Sequence, residues 1–338
     1  MKHANDEKRL IEIISGTFPE SDLRLNKCFE SDAEVVSVSG QRLLFTMDEF
    51  SSEDMFRDDD SYSLGWNVAA GAISDISACA GIPLFYGHAM VVSIAWDENF
   101  VKKFSQGVSD VLKETGTVFM GGDFGKAQDW RYTAAVIGQP RGKLLNRKGA
   151  VVDDTIYISG KIGLGNLEAA LKFYSKDTRF KMASVFLKNR FHLRIKESAF
   201  ISDYAGCCID TSDGVFNALN TIADINGVGY EISGLPYIEI GSLGASVVSL
   251  PKELLLLGEA GEYELLFTIK CEKEQEFLLK AKQQGLTFYK IGKIVNSART
   301  LLESGKSIEL GSLAVRARDF DDRKAYLEHL FRYLKEQG

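Results

Sequence analysis

The order of hydrophobic and polar positions predicts alternating helices and strands in the first part of the chain. Residues 5–15 have amphipathic spacing and predict a first helix. Residues 33–48 alternate as two short strands around a turn at Ser39-Gly40-Gln41, which predicts a β-hairpin. Small apolar residues fill 62–81, and such a run is typical of a helix that packs closely against a sheet and ends before Pro83.

The pattern changes period several times before residue 140. Residues 87–95 and 132–138 predict strands, and residues 97–115 predict a helix. Val118-Phe119-Met120 predicts a short buried strand that stops at Gly121-Gly122-Asp123. Because strands and helices alternate without a regular rhythm, the predicted fold class is α/β (α+β) rather than a uniform series of βαβ units.

The segment 139–149 resembles a connection and predicts two domains, spanning 1–145 and 146–338. A chain of 338 residues is long enough for each domain to bury its own core. The second half opens with a strand at 155–160 and closes with a charged helix at about 321–336.

Composition excludes several classes of function. Hydrophobic residues make up 45% of the chain and charged residues 26%, as in ordinary globular domains. The net charge of -7 argues against nucleic acid or an anionic membrane as the main partner. No apolar run approaches the roughly 20 residues of a membrane-spanning helix. The first residues lack the apolar core of a signal peptide, so we expect a cytoplasmic protein.

Cysteine and histidine spacing does not predict a zinc or haem site. The five cysteines form no Cys-x-x-Cys pair, and the four histidines form no ligand pattern. An odd number of cysteines in a cytoplasmic protein predicts reduced, mostly buried thiols.

Five aspartates beside small residues, in predicted strand ends or loops, are the main candidates for chemistry. They are Asp32, Asp48, Asp75, Asp123 and Asp213. A carboxylate buried without a partner is costly, so five such positions suggest a cluster around divalent cations. Oxygen ligands suit Mg²⁺, which usually binds phosphates as well. The alternative is that each aspartate only caps a helix or closes a turn, as Ser74-Asp75 would before a helix.

The common nucleotide-binding motifs are missing or incomplete. No Gly-x-x-x-x-Gly-Lys-[Ser/Thr] is present, which excludes a P-loop protein. Gly163-Leu164-Gly165 lies between a predicted strand and helix, as in a dinucleotide fingerprint, but Glu168 replaces the third glycine and favours a plain tight turn. Glycines and acids at 258–264 precede an apolar strand, where either a turn or the close approach of a polar ligand explains them.

Taken in order, six segments resemble motifs of the aminoimidazole-ribonucleotide-synthetase (AIR synthase) superfamily, and they are most similar to the thiamine-monophosphate kinases. The segments are Ser31-Asp32-Ala33-Glu34-Val35-Val36, Thr46-Met47-Asp48 with Phe56, the stretch from Ile73 to Pro83, Gly121-Gly122-Asp123, Ile209-Asp210-Thr211-Ser212-Asp213-Gly214 and Glu262-Tyr263-Glu264-Leu265. The stretch from Arg147 to Ala150 resembles the opening of the family's second domain. Six ordered matches are hard to obtain by chance.

The resemblance implies a fold, an activity and a set of site residues. It implies a homodimer in which the N-terminal sheets of two subunits form a barrel and the C-terminal α/β domains lie outside. ATP would lie between the domains, and the expected activity is ATP- and Mg²⁺-dependent transfer of phosphate to a small-molecule phosphate substrate, with thiamine monophosphate as the first candidate. The implied metal ligands are the five aspartates above, the implied nucleotide-binding residues are Gly121, Gly122, Asp123, Ser212, Asp213 and Arg147, and the implied catalytic residues are Asp123 and Asp213.

The chain departs from the family motifs at several positions, which leaves two alternative functions open. Ser31 replaces the first aspartate of a pair, Met55 a histidine, Ala72 an asparagine, Phe124 a threonine and Ala218 a second aspartate. One alternative is a superfamily member with another small substrate. The other is a nucleotide-binding regulatory dimer that has lost catalysis. Selenophosphate synthetase and the hydrogenase-maturation relative are disfavoured because the cysteines that they need are missing, and AIR synthetase itself fits the motifs less well.

Overall fold

The computed structural model describes residues 7–19, 21–54, 60–173, 189–247, 249–303, 305–313, 316–320 and 322–337. The helices are α1 (Glu7–Thr17), α2 (Ser61–Ala78), α3 (Glu98–Thr115), α4 (Leu164–Phe173), α5 (Ile195–Ile201), α6 (Gly214–Asn226), α7 (Glu239–Val247), α8 (Leu254–Leu257), α9 (Glu274–Gln283) and α10 (Arg323–Gln337). The strands are β1 (Glu34–Val38), β2 (Gln41–Ser51), β3 (Gly81–Ser93), β4 (Val118–Ala127), β5 (Arg131–Pro140), β6 (Thr155–Ile158), β7 (Ala205–Asp210), β8 (Gly229–Ser233), β9 (Leu265–Ile269), β10 (Tyr289–Val295), β11 (Arg299–Glu303) and β12 (Lys306–Glu309). Met55 and Phe56, which the sequence motifs included, lie outside the described residues.

The first sheet has five strands in the order β1-β2-β5-β3-β4. The hairpin predicted over 33–48 is confirmed, since Val38 of β1 pairs with Gln41 of β2. β3 and β4 are parallel because α3 connects them, whereas the other neighbours are antiparallel. In the part of the chain that the structure describes, these strands therefore form an open mixed sheet and not a closed barrel.

One face of this sheet is covered by α2, and α3 packs on α2 in turn. Along β5, Tyr132, Ala134 and Val136 are buried in this core, as the period of two in a half-buried strand requires. The opposite face is open and apolar. Four neighbours in one row across it, Phe45, Ile137, Phe85 and Val118, are 36%, 38%, 40% and 53% exposed.

The prediction of a short buried strand at Val118-Phe119-Met120 was wrong. β4 continues to Ala127, and these three side chains are 53%, 49% and 66% exposed because β4 is an edge strand. Gly122 does not end the strand: a Cβ there would meet the backbone oxygen of His88 at 1.9 Å, so the glycine allows β3 and β4 to approach. Pro83 likewise lies inside β3, beside an irregularity in its pairing with β5.

The second sheet has seven strands in the order β12-β11-β8-β10-β6-β9-β7. On one face, Ile156, Ile158 and Leu266 pack with Phe216 of α6. On the other face, Tyr157 and Phe267 stack and contact Phe277 of α9. Each sheet therefore has its own core, and the chain has a two-domain mixed α/β fold. None of the helices in the described residues is long and apolar enough to cross a bilayer.

Helix α2 also forms the wall between the two domains. Its C-terminal end is buried with Phe200 of α5 in the second domain. The indole of Trp66 donates a hydrogen bond of 2.8 Å to the backbone oxygen of Phe191, and the amide of Asn67 pairs with the backbone of Asn189 and Phe191. Because α2 contacts both cores, residues on it are held in fixed positions at the domain junction.

Two glycines set the closeness of α2 and α3, which leads to a prediction about stability. A Cβ at Gly107 would lie 2.2 Å from the backbone oxygen of Tyr62, and one at Gly65 would lie 2.0 Å from that of Phe104. We expect Gly107→Ala to lower the free energy of unfolding by about 2 kcal/mol, because backbone must move to admit the methyl group. The measurement is urea unfolding. Gly16→Ala, in a helix with nothing within 4 Å, is the control and should not destabilise; equal effects would contradict the packing argument.

Candidate metal and phosphate site

Three carboxylates from separate parts of the sequence meet at the domain junction. Asp32, Asp75 and Asp210 each place a carboxylate oxygen within 4.8 Å of the others. Asp32 comes from the loop before β1, Asp75 from the last turn of α2 and Asp210 from the last residue of β7. Two domains therefore contribute to one cluster of oxygen ligands.

The alternative in which Ser74-Asp75 caps a helix does not hold, because Asp75 lies within α2 rather than before a helix. Its carboxylate is aimed at the sheet, where the hydroxyl of Thr46 donates to it. Asp48 likewise lies inside β2, which continues to Ser51, and not at a strand end. Both side chains thus point from regular elements into the domain junction, which makes their positions more rigid than loop residues would be.

Among the described residues, the cluster has one close cation, and some of its oxygens have no hydrogen-bond partner. The guanidinium of Arg147 donates to Asp32 at 2.9 Å, and the side chain of Asp32 is only 1% exposed. The second oxygens of Asp32 and Asp210 are buried without a hydrogen-bond partner. Orphaned buried carboxylate oxygens are costly. An oxygen-only donor set with unused lone pairs fits Mg²⁺ better than a softer metal.

Burial and mutual repulsion raise the pKa of several of these carboxyl groups. The pKa of Asp48 is raised to about 7, first by burial and then by the charges of Asp210 and Asp32. The pKa of Asp210 is raised to about 6 by burial and by Asp32. The pKa of Asp75 is raised well above its usual range by burial and by Asp48. Like charges gathered in a low-dielectric site are typical of metal-binding or catalytic positions.

The cluster opens into a cavity of about 1070 Å³ between the domains. This volume is at the upper end of the range for ligand pockets, so the cavity is large enough for more than one small molecule. Among the described residues, thirteen acidic and two basic ones line it. The basic residues are Arg147 and Arg316. An anionic ligand such as a phosphate would therefore need added cations in order to bind.

Most of the site residues predicted from the sequence line this cavity. They are Asp32, Asp48, Asp75, Arg147, Ser212 and Asp213. Asp213 is the N-cap residue of α6, but its side chain makes no capping hydrogen bond and is 53% exposed. Its carboxylate lines the cavity and there accepts a hydrogen bond of 3.0 Å from the guanidinium of Arg316.

Gly121, Gly122 and Asp123 are not among the residues that line the cavity. Asp48 pairs with Ala134, Ala134 with His88 and His88 with Gly122, so three strand spacings of about 4.8 Å separate Asp48 from Gly122. Asp123 follows Gly122 and lies on the open face of the sheet, in the row of Ala89. The single chain thus keeps these three residues apart from the carboxylate cluster, and their roles stay predictions.

Asp210 is the functional candidate that the choice of five aspartates missed. It is 3% exposed and accepts hydrogen bonds from the amide and the hydroxyl of Ser212. Its sequence signal was present: Asp210 ends an apolar run and stands three residues before Asp213. The sequence analysis predicted Asp213 but not Asp210 as a ligand, because spacing does not tell which carboxylate of a strand-to-helix turn faces inward.

The glycine turn at Gly163-Leu164-Gly165 has an internal anion as its partner. The carboxylate of Glu262 accepts hydrogen bonds of 2.8 Å from the backbone amides of Gly163 and Gly165. Burial raises the pKa of Glu262 to about 7. These two amides hold the 262–264 segment in place, which supports the interpretation as a plain structural turn.

Comparisons with known proteins identify the family. The profile described as AIR synthase related protein, N-terminal domain, matches residues 30–139, and the profile for the C-terminal domain matches residues 151–303. Together they cover most of the chain. The chain belongs to the AIR synthase related family.

Individual relatives within this family are distant. The thiamine-monophosphate kinase of Aquifex aeolicus (strain VF5) is 26% identical over 275 residues, which is 80% of this chain and 87% of the relative. AaThiL, in a structure complexed with AMPPCP and TMP, superposes with a TM-score of 0.71 at 23% identity and covers 89% of this chain and 94% of its own. A chain of the HypE-HypF complex superposes with a TM-score of 0.69 at 19% identity, covering 89% and 98%. Since proteins with different names share this fold, the fold alone does not give the activity.

The raised pKa values predict how stability of this family member depends on pH. Without metal, the folded protein binds more protons than the unfolded chain between the ordinary pKa of 3.8 and the folded values of about 6 for Asp210 and about 7 for Asp48. The free energy of unfolding should therefore fall by several kcal/mol as the pH rises from about 4 to about 7.

Thermal unfolding in EDTA at about pH 5 and about pH 7.5 measures this effect. Added Mg²⁺ should raise the melting temperature more at the higher pH, because it binds deprotonated carboxylates. Asp48→Asn should flatten the pH dependence in EDTA. A melting temperature in EDTA that rises with pH in this range would contradict the assignment.

Proposed function

We propose that this protein is an ATP- and Mg²⁺-dependent phosphotransferase that acts on a small phosphate monoester, with thiamine monophosphate as the first substrate to test. The observation that carries the proposal is the inter-domain cluster of Asp32, Asp75 and Asp210, with orphaned oxygens and an acidic cavity around it. Such a cavity accepts a polyphosphate only together with divalent cations.

The relatives support the same substrate class. Sequence relatives along most of the chain are thiamine-monophosphate kinases, and AaThiL has been solved with AMPPCP and TMP. Identities of 26% to 29% are compatible with another small substrate. Thiamine monophosphate as the phosphate acceptor is therefore a more specific proposal than the phosphotransferase activity itself.

Under this proposal, the position of each cavity residue indicates its role. Asp32, Asp75 and Asp210 would hold Mg²⁺, with Asp48 and Asp213 next to them on the cavity wall. When bound, Mg²⁺ supplies charge neutralisation and alignment of the phosphoryl group. Arg147 keeps Asp32 oriented from the side of the second domain. Asp210 is buried and Asp32 and Asp75 are partly buried, and the lower local dielectric at such positions strengthens their electrostatic contacts.

The direct test is formation of thiamine diphosphate from thiamine monophosphate, ATP and Mg²⁺. We expect activity in the wild type and a loss of roughly 100-fold or more in kcat/KM for Asp75→Asn, because a ligand to the metal is removed. Asp110→Asn is the matched control, since Asp110 lies on α3 and is not a cavity residue. A wild type that binds ATP with Mg²⁺ but leaves thiamine monophosphate unchanged would exclude this acceptor.

Calorimetry tests the site apart from turnover. Asp75→Asn and Asp210→Asn should lose Mg²⁺-dependent binding of AMPPCP while the fold is kept. The role of Asp123 rests on the family resemblance, and Asp123→Asn in the same titration tests it. Unchanged Mg²⁺-dependent binding in that variant would remove Asp123 from the proposed ligands.

We further propose a homodimer built on the open face of the first sheet. The row of Phe45, Ile137, Phe85 and Val118 leaves an apolar strip exposed, and such strips commonly mark an interface. Asp123 lies on the same face, so a second copy would change its surroundings.

Ile137→Lys should convert a dimer into a monomer, because it places a charge at the centre of this strip. Light scattering after size exclusion should then give about 37.4 kDa instead of twice that mass. Leu278→Lys is the control, because the side chain of Leu278 is exposed on α9 of the second domain. A wild type that is monomeric at high concentration would contradict the proposal.

A second candidate function is a nucleotide-binding regulatory dimer without catalysis. It is favoured by Ser31, whose hydroxyl donates to the backbone oxygen of Ala33 at 2.8 Å and accepts from Asn26 at 2.9 Å. The hydroxyl is satisfied within its own loop and supplies no carboxylate. Phe124, by contrast, is 67% exposed on β4 and does not line the cavity, so it offers no support for a blocked pocket. AMPPCP binding without turnover of any phosphate monoester would favour this candidate.

A further inference from the structure

Arg316 is the more accessible of the two arginines in the cavity. Its side chain is 35% exposed, against 19% for Arg147. Arg147 is held by Asp32 and by the backbone of residues 29–30, where its amide donates to the oxygen of Glu30 at 2.8 Å. Arg316 instead enters from the C-terminal segment and reaches Asp213 at 3.0 Å and Glu259 at 3.8 Å.

The backbone of Arg316 is fixed independently of its guanidinium. The amide of Arg316 donates to the carboxylate of Asp319 at 2.7 Å, and the amide of Asp319 donates to the oxygen of Arg316 at 3.0 Å. The next amide, that of Ala317, donates to Glu259. The side chain can therefore change partners while the segment stays in place.

The partner of Arg316 is one that a divalent cation would compete for. The carboxylate of Asp213 is 53% exposed, does not cap its helix and lines the same cavity as the Asp32, Asp75 and Asp210 cluster. A cation that binds Asp213 neutralises this carboxylate and repels the guanidinium beside it, so the two positive groups compete for Asp213. Once displaced, a guanidinium is a strong bidentate partner for a phosphate group.

We propose that Arg316 binds a phosphate group in the cavity, and that it leaves Asp213 for that phosphate when Mg²⁺ arrives at Asp213. The inference rests on the proposed phosphotransferase function, and it adds a residue for which Asp213 and the phosphate are alternative partners. Cation entry would thus be coupled to phosphate capture, because the guanidinium of Arg316 is released toward a phosphate once a cation has bound Asp213.

The test compares Arg316→Gln with Arg299→Gln by titration calorimetry on the full chain. Arg299 pairs with Asp224 on α6 at 2.5 Å and is not a cavity residue, so it is a matched arginine-aspartate pair on the same helix. The probes are Mg²⁺ alone, AMPPCP with Mg²⁺, thiamine monophosphate with Mg²⁺, and thiamine with Mg²⁺.

Arg316→Gln should bind Mg²⁺ alone roughly two- to fivefold more tightly, because a half-exposed ion pair no longer competes. It should bind one phosphate ligand about tenfold or more weakly, because a charge-assisted contact is lost. Thiamine itself should bind unchanged, and Arg299→Gln should change none of these affinities. Arg316→Lys keeps the positive charge but lacks the two parallel N–H donors of the guanidinium, and it should give an intermediate phosphate affinity.

The titrations with AMPPCP and with thiamine monophosphate distinguish which phosphate Arg316 binds. A loss for thiamine monophosphate alone assigns Arg316 to the acceptor, and a loss for AMPPCP alone assigns it to the nucleotide. If the wild type binds AMPPCP but no thiamine monophosphate, the proposed acceptor fails while the AMPPCP arm still decides the role of Arg316. Affinities for Mg²⁺ and phosphate that fall together with the melting temperature, or that do not change, would overturn the inference.

Discussion

The repulsion among Asp32, Asp75 and Asp210 is the constraint on which the rest of this structure depends. Their oxygens lie within 4.8 Å of one another where two domains meet, and Arg147 supplies a close positive charge to Asp32. Such a cluster persists only if the surrounding fold prevents it from spreading. The fold does so through α2, which is packed tightly in one domain and hydrogen-bonded to the backbone of Asn189 and Phe191 in the other.

The second domain contributes a similarly constrained wall. Tyr263 has a φ of 57°, in the left-handed region that a bulky side chain avoids. Its neighbours fix it there: Glu262 accepts the amides of the glycine turn, and Glu264 forms a two-point ion pair with Arg194. The ring is thereby directed against Phe191 and the surface of α2 at Gly71. Backbone strain and like-charge repulsion thus occur at the same place, as in sites where binding is preferred over stability.

The fold leaves the chemistry to particular side chains. Relatives of the AIR synthase fold include a kinase solved with AMPPCP and TMP and a hydrogenase-maturation protein, so the sheets and helices are compatible with more than one reaction. The cavity of this chain contains a satisfied serine at position 31, an alanine at 218 and an arginine at 316 facing Asp213. Under the proposed function, we expect these positions to influence how many cations and which phosphate the cavity admits.

The sequence by itself determined the local elements and the type of chemistry. Periodicity identified the first hairpin and the close-packed helix α2, and the ordered aspartate motifs indicated oxygen ligation of a divalent cation. Those signals are local, because a strand period, a glycine or a carboxylate acts through its neighbours in the chain. Tertiary structure alone decided which carboxylates meet. Asp48 lies within β2 and Asp75 in the last turn of α2, where the two carboxylates interact, and Asp210 joins them from the second domain. Asp123 lies three strands away from Asp48, on the open face of the first sheet. Sheet register and helix packing depend on contacts between residues that are distant in the chain, and no single segment of the sequence predicts those contacts.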